Sequence, residues 1–348
     1  MSHRHETWWS LRVVVCAFFA LTPVVLNAQQ GGTRTRVPPS ASARTSPRAP
    51  FEVPGWPWPV APPTAPAPVD SVTLLHLPTS DIAFTVRQLR DQFNVPDWYP
   101  ASHAPMPPIV AHGRKAAVIA CGYCHLPDGG GRPENATLAG LPVDYIVQQI
   151  VDFRARTRKP AWNGPSRPSE LMRIIADSVT DAEVFEAARY FSTLRPRQRA
   201  RVIEASNIPA VSPALGLYVR KAGTDMEPLG ARLIEMPVDA ERHELRDAAA
   251  EYVAYVPMGS IGRGRRLANV PRSKDIKSCA GCHGPQLKGL GVVPPIAGRS
   301  PSYLLRQLMA FRSGARSTAA STPMSQVAAT LSLDDMIAAA AFAGSRRP

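Results

Sequence analysis

Two short runs with the same pattern constrain this chain more than any other feature. They span Cys121–His125 and Cys279–His283, and each has the pattern Cys-x-x-Cys-His. Two thiols at this spacing reach neighbouring positions on one porphyrin edge, and the histidine that follows at once is placed to ligate the iron. The runs therefore predict two covalently bound haem c groups, held by Cys121, Cys124, His125, Cys279, Cys282 and His283.

Two other kinds of protein site also use paired cysteines and are alternatives to haem attachment. A zinc ribbon would share one metal between the two pairs, but this leaves the duplicated histidine unexplained. A thioredoxin-like redox pair is the second alternative, and it would place one copy near a βαβ unit.

The segments after the two motifs repeat each other. A shift of 158 positions superposes residues 121–158 on 279–316 without a gap. Each copy places apolar residues at i, i+4 and i+7, which predicts a helix with one buried face. The chain thus contains a duplicated domain. The pairs outside the motifs include Gly131 with Gly289, Tyr145 with Tyr303, Gln149 with Gln307, Arg154 with Arg312 and Arg158 with Arg316.

A second block aligns with a shift of 152 positions and pairs Met172 with Met324. Capping-box patterns follow and predict C-terminal helices over Asp181 to Phe191 and Asp334 to Phe342. The capping-box residues are Thr180 with Glu183 in the first copy and Ser332 with Asp335 in the second. Ahead of the motifs, Gly113 and Gly264 lie in matching preludes. We expect each to let the first helix of its copy approach the C-terminal helix closely.

The occupant of the sixth position of an imidazole-bound iron decides between electron transfer and small-molecule chemistry. Met172 and Met324 are the predicted thioether ligands, because they fall at corresponding places after the two motifs. The alternatives are the thioethers of Met106, Met258 and Met309, and bis-histidine ligation through His103 or His112. His76 and His243 are predicted to be surface residues.

Composition divides the rest of the chain. The N-terminal apolar run, Val13 to Leu26, is short for a membrane span and ends near Ala28, which predicts a signal peptide, with an uncleaved anchor as the alternative. The tract 54–59 is either a docking segment or a patch laid against the folded domain.

Residues 195–256 contain short β-prone runs and predict either an ordered crossover or a flexible linker. The expected parts are a signal peptide (1–28), a Pro-rich disordered spacer (29–70), a wrapping segment (71–104), domain 1 (105–194), a crossover (195–256) and domain 2 (257–348).

The motif order in the second copy resembles class I cytochromes c, and more narrowly the diheme cytochrome c4 type. The likeness covers residues 105–192 and 257–345, and Leu126 replaces the usual glycine after the first haem histidine. It implies an all-α fold of two tandem class I cytochrome c domains with His/Met ligation. The Pro-rich leader and the β-prone crossover depart from that pattern.

The resemblance implies a periplasmic protein that transfers single electrons between partners in a respiratory or dehydrogenase-linked chain, with no catalytic residues of its own. One alternative is the electron-transfer subunit of a periplasmic dehydrogenase complex. Another is a diheme peroxidase, which needs one iron with an accessible sixth position.

The chain carries a net charge of +13 with a pI near 10.0. It has no nucleic-acid-binding motif, so the charge favours acidic redox proteins such as a dehydrogenase, a quinol–cytochrome c reductase or a terminal oxidase. The N-terminus is the predicted route to any membrane association. Arg154 and Arg312 recur in both copies and are predicted to bind haem propionates. The basic cluster around them also contains Arg156, Arg158, Lys159 and Arg316.

Overall fold

The computed structural model describes residues 51–63, 69–214 and 216–348. The predicted signal peptide (1–28) and the first part of the predicted spacer, up to residue 50, lie outside these ranges.

The Pro-rich spacer ends earlier than its composition suggests. Trp58 is only 9% exposed and stacks on Trp162, with the ring centroids 6.1 Å apart. Phe51, Val53 and Trp56 pack against the same apolar cluster. The prediction of disorder is therefore wrong for residues 51–59, because burying the indole rings offsets the chain entropy of a Pro-rich segment.

The wrapping segment joins domain 1 to the crossover. Trp98 is 3% exposed, and its Nε1 donates to the carbonyl oxygen of Leu245 at 2.7 Å. Arg246 Nε donates back to the carbonyl oxygen of Leu89 at 3.1 Å. The elements of the wrapping segment are an antiparallel pair of strands, β1 Leu74–His76 and β2 Ala83–Thr85, followed by α1 Val86–Leu89 and a 3-10 turn, Pro100–Ser102.

Domain 1 is helical, and its last helix begins where the sequence predicts. The helices are α2 Pro108–Ala111, α3 Cys121–His125, α4 Val143–Arg154, α5 Arg167–Ser178 and α6 Asp181–Thr193. The capping box of Thr180 and Glu183 is present in both directions, so two otherwise unpaired donors are satisfied at the start of α6. The core formed between these helices includes Val110, Val118, Ile146 and Phe191.

The crossover is an ordered segment with strands, which departs from an all-α fold. Its elements are β3 Ala200–Glu204, β4 Asn207–Pro209, β5 Val211–Ala214, β6 Leu217–Arg220, β7 Met226–Pro228, β8 Ile234–Pro237, α7 Ala240–Glu244 and β9 Tyr252–Val256. The strands β3, β9 and β8 form one sheet, in which β3 runs parallel to β9 and β8 antiparallel. The strands β4 and β7 form a separate antiparallel pair, and β5 and β6 form another.

Domain 2 repeats the helical plan of domain 1. Its helices are α8 Ser260–Asn269, α9 Cys279–His283, α10 Pro301–Arg312, α11 Thr322–Ala329 and α12 Leu333–Gly344, with 3-10 turns at Pro285–Leu287 and Ala319–Ser321. The capping box of Ser332 and Asp335 starts α12. Over the ranges that the structure describes, no single helix is long and apolar enough to cross a bilayer; α11 with its preceding turn and α12 meet that test only as a pair bent by 114°.

The two prelude glycines differ. A Cβ at Gly264 would lie 2.0 Å from the carbonyl oxygen of Ala338, so this glycine lets α8 contact α12 as predicted. Gly113 follows the end of α2 with φ +62°, and a Cβ there would meet Val118 O at 2.2 Å. The prediction is wrong for domain 1, where α2 is only four residues long and Gly113 serves a local turn.

A buried carboxyl group fastens the crossover to domain 2. Glu235 on β8 is 4% exposed. Its Oε2 accepts from Ser302 N at 2.9 Å and from the hydroxyls of Ser300 and Ser302 at 2.7 Å each. Burial raises the pKa of Glu235, although these donors oppose the shift. The crossover thus holds the start of α10 through a carboxyl group that favours its protonated form.

This contact predicts a pH dependence of stability. Because the folded state binds the Glu235 proton more tightly than the unfolded state, the stabilisation is fully present below about pH 4.5, the ordinary glutamate pKa, and is lost as pH rises through the higher folded pKa. We expect Glu235→Gln to reduce this decline in the free energy of unfolding, measured by urea denaturation from acid to neutral pH. Glu251→Gln, at an exposed glutamate just before β9, is the control. Equal slopes for wild type and Glu235→Gln would contradict the assignment.

Candidate haem-binding sites

One turn of helix presents the donors of each motif. The histidine of each motif is fixed by a carbonyl group eleven residues further along the chain: His125 Nδ1 donates to Ala136 O and His283 Nδ1 to Pro294 O, both at 2.8 Å. This bond places the remaining lone pair on Nε2, the arrangement of a metal-binding imidazole. The two copies therefore hold their histidines in the same way.

The two motif histidines are almost fully withdrawn from water. His125 is 8% exposed and His283 6%. Burial lowers the pKa of both imidazoles, which favours the neutral form that ligates a metal. Burial also raises the pKa of the Cys121 thiol to about 12.

The turn after each motif has the same backbone shape despite the sequence difference. Gly284 follows His283 with φ 78°, ψ 170°, and Leu126 follows His125 with φ 65°, ψ 156°. A positive φ is rarely adopted by a leucine and costs about 1–3 kcal/mol. Leu126 is buried at 1% exposure, so the surrounding core keeps this turn in place.

A cavity of about 390 Å³ opens beside the first motif. This volume is in the range of cofactor sites, about 300–1,000 Å³. Cys121, Cys124 and His125 line this cavity, and Met172 lines it as well. Most of the remaining lining is apolar and includes Leu138, Leu141, Ile146, Ile150, Phe153, Ile175, Val184 and Phe191. Two thiols, one oriented imidazole and an apolar pocket fit a covalently attached haem.

The candidate sixth ligands lie in different settings. Met172 on α5 and Met324 on α11 are both half-buried. Among the alternatives, Met309 is fully buried in the domain 2 core, Met258 is 66% exposed and Met106 packs against the domain 1 core. His103 is paired with Asp97 and Tyr190, and His112 with Asn94. Of these residues, Met172 is the one that lines the cavity with His125.

Arg154 and Arg312 hold helix ends in both copies. Arg154 Nε donates to Ala176 O at 2.7 Å, and its Nη2 donates to Val179 O. Arg312 Nη1 donates to Ala328 O at 3.2 Å and to Ala329 O. The guanidinium groups thus bind carbonyl oxygens at the ends of α5 and α11, and Arg154 is not among the residues that line the first cavity.

A symmetric polar cluster joins the two domains. Arg158 donates to Gln149 Oε1 at 2.8 Å and to the Tyr303 hydroxyl at 3.0 Å. Arg316 donates to Gln307 Oε1 at 3.1 Å and to Gln149 Oε1 at 2.7 Å. The backbones of Arg158 and Arg316 form a bridge beside this cluster. All of these residues recur under the 158-position shift, but the sequence alone did not predict that they meet at an interface.

One guanidinium nitrogen of this interdomain cluster is unsatisfied. Arg316 is 4% exposed, and its Nε is buried without a hydrogen-bond partner among the described residues. Arg158, with Gln149, Tyr303 and Gln307, lines the first cavity. The cluster therefore offers cationic donors to an acidic group at the domain boundary.

Sequence reasoning missed the segments that complete the first cavity. Residues 57–61 of the leader line it, as does Arg306 of α10. Arg306 donates to Pro57 O at 3.2 Å and also to Pro133 O. Tyr218 of the crossover donates to Trp56 O at 3.1 Å. The first cavity is thus closed by the leader and by domain 2 together.

His243 is not a surface residue. It is 1% exposed, and its Nδ1 lies 3.0 Å from the Tyr252 hydroxyl. Burial lowers the pKa of His243 to about 4, although the negative charge of Glu134 acts to raise it. The pairing of β3 with β9 carries Tyr252 over α7, and this non-local contact buries the ring. His76 is exposed as predicted.

Known proteins resemble about two thirds of the chain. It is 27% identical to cytochrome c4 of Azotobacter vinelandii over 232 residues, 66% of this chain and 84% of that protein. It is 28% identical to a thiosulfate dehydrogenase electron acceptor of Stutzerimonas stutzeri over 234 residues, 66% of this chain and 80% of that protein. A solved cytochrome c4 structure from Acidithiobacillus ferrooxidans aligns with a TM-score of 0.43 and 19% identity, over 65% of this chain and 98% of that one. No family model matches the chain.

Proposed function

We propose that this chain, a diheme cytochrome c4-like protein with two covalently bound haem c groups, carries single electrons between redox proteins and catalyses no reaction of its own. The observation that supports this most strongly is the repeated donor set, in which each motif presents two cysteines and a histidine whose Nδ1 is fixed by a carbonyl oxygen at 2.8 Å. A bound haem supplies a reversible one-electron couple, and the protein sets its potential.

The proposed attachment residues are Cys121 and Cys124 for the first haem and Cys279 and Cys282 for the second. His125 and His283 are the proposed imidazole ligands, and Met172 and Met324 the thioether ligands. The position of Met172 on the lining of the first cavity supports its role. For Met324 the support is its correspondence with Met172 in the repeat.

For the propionates we propose Arg158 and Arg316 in place of Arg154 and Arg312. The latter pair binds helix-end carbonyl oxygens, whereas Arg158 lines the first cavity and Arg316 has a buried, unsatisfied Nε. Burial would raise the pKa of the neighbouring Tyr145, but the charges of Arg316 and Arg158 outweigh this and lower it. The cluster is thus electropositive, as an anion-binding site requires.

A dehydrogenase is the proposed electron donor, and the periplasm the proposed location. The support for the donor is the likeness to two proteins named thiosulfate dehydrogenase electron acceptors. Export fits the N-terminal pattern of residues 1–28. A peroxidase is not favoured, because the proposed methionines would fill both sixth positions.

The carrier role and an enzyme role give different results with thiosulfate. We expect the oxidised protein to stay oxidised with thiosulfate alone and to become reduced when a thiosulfate dehydrogenase is added, as followed by the haem α-band. A mediated spectroelectrochemical titration should show two reversible one-electron steps. Reduction by thiosulfate without the enzyme would overturn the carrier role, and an absence of reversible steps would overturn the proposal as a whole.

A further inference from the structure

The two haem motifs differ in how much of the surrounding loop reaches the surface. In domain 1 the crossover covers both the motif and the loop after it: Arg246 donates to Tyr123 O inside the motif and Arg199 to Gly131 O in the loop, both at 2.6 Å. The Arg246 guanidinium also lies 3.6 Å from the Tyr123 ring centroid. The leader and Arg306 close the cavity at its other side. Access of a protein partner to the first motif is therefore blocked by the chain itself on several sides.

The equivalent positions in domain 2 are open. Arg132 and Glu134 are half-buried, whereas their counterparts under the 158-position shift, Leu290 and Val292, are 60% and 65% exposed. Gly281, inside the second motif, is also exposed, whereas Tyr123 at the corresponding position of the first motif is half-buried. Exposed apolar residues beside a redox centre are a feature of contact surfaces between proteins.

Positive charge borders this open region. Residues 271–292 contain four cationic residues, Arg272, Lys274, Lys277 and Lys288, and a single acidic residue, Asp275. Arg272 is paired with Asp335 at 3.5 Å, so the exposed lysines set the sign of the surface. Lys274 and Lys277 line a shallow groove that extends to Gly281 in the motif. A partner that fits must carry acidic side chains around its own contact area.

We propose that residues 271–292, the second-motif surface, form the docking site for an acidic redox protein, and that electrons enter and leave the chain there. The inference rests on the proposed carrier function and adds which domain meets the partner. In each exchange the partner loses or gains one electron and this protein gains or loses it, with no bond made or broken. The first site then exchanges electrons with the second inside the protein, across the Arg158 and Arg316 cluster.

The test uses a carboxylate-terminated monolayer on a gold electrode as the acidic surface and measures the electron-exchange rate of the full haem-loaded chain. We expect Lys274→Glu/Lys277→Glu to lower this rate about tenfold at low ionic strength, with the difference shrinking at high salt. The matched control is Arg87→Glu/Arg90→Glu, which makes the same charge change at exposed residues of the segment beside the first motif. The control should change the rate by less than about twofold, since only local charge steers docking.

Two outcomes would overturn the docking site: an equal fall in both variants, which indicates net charge alone, or an unchanged rate in Lys274→Glu/Lys277→Glu. A mediated titration of the same three proteins separates this from the carrier function. Two reversible steps in all three with unaltered electrode rates would reject the docking surface and leave the carrier role standing. Missing steps in the wild type would reject the carrier role itself.

Discussion

Replacing the motif histidine of one domain should remove one low-spin haem centre and leave the other. We expect His125→Ala and His283→Ala each to lower the reduced α-band absorbance per polypeptide by about half, because each imidazole is the proposed ligand of one iron. The expectation is equal for both, since each ring is fixed by a carbonyl oxygen at the same distance and is almost fully buried. Absorption spectra of purified protein at matched concentration measure the effect.

His112→Ala is the matched control for this pair, because His112 is exposed and lies 3.2 Å from Asn94 rather than in a cavity. It should keep the wild-type absorbance. A full α-band in His125→Ala or His283→Ala would show that another residue ligates that iron. Loss of both centres in one variant would contradict the independence of the two sites.

Replacing a methionine ligand should leave the haem attached and lower the potential of one centre. A thioether ligand stabilises the reduced iron, and axial ligands tune haem potentials over about 0.8 V. We expect Met172→Ala and Met324→Ala each to lower one of the two potentials by on the order of 100 mV, a modest part of that range. Spectroelectrochemical titration of each variant measures the two potentials separately.

Met258→Ala is the control for the methionine series, because Met258 is 66% exposed and lies just before α8. Its titration should match the wild type. An unchanged titration of Met324→Ala would refute that ligand and direct attention to the remaining thioethers. The same result for Met172→Ala would mean that its place on the cavity lining reflects packing alone.

The local features of this fold were readable from the sequence because they depend on neighbouring residues. A capping box needs only the spacing of Thr180 and Glu183, or of Ser332 and Asp335, and both boxes form. The haem motifs likewise need one helical turn. The duplication revealed which residues recur, and this was enough to single out the Arg158 and Arg316 positions as well as the Arg154 and Arg312 positions.

What the sequence left open depends on contacts between distant segments. Recurrence alone did not show that Arg154 binds carbonyl oxygens at a helix end while Arg158 faces the domain boundary. Trp58 appeared in a Pro-rich tract, and only its stacking on Trp162 shows that the tract is ordered there. His243 appeared polar and exposed, and Tyr252, brought over it by strand pairing, buries it.

The crossover changes what the two copies can do. The crossover connects to domain 1 through Arg199 and Arg246 and to domain 2 through Glu235. It covers the first motif loop and leaves the second exposed. Two copies of nearly the same domain thereby acquire different surfaces, and the difference comes from the segment between them.

The central claim is that two irons are each held between an imidazole and a thioether, so that only electrons pass. The oxidised-state absorption spectrum of the purified, exported protein tests this most directly, through the thioether-to-iron charge-transfer band normalised to haem content. We predict an intensity corresponding to two methionine-ligated centres per polypeptide. An intensity corresponding to one such centre or none would contradict the account, because an iron without its thioether would be open to small molecules.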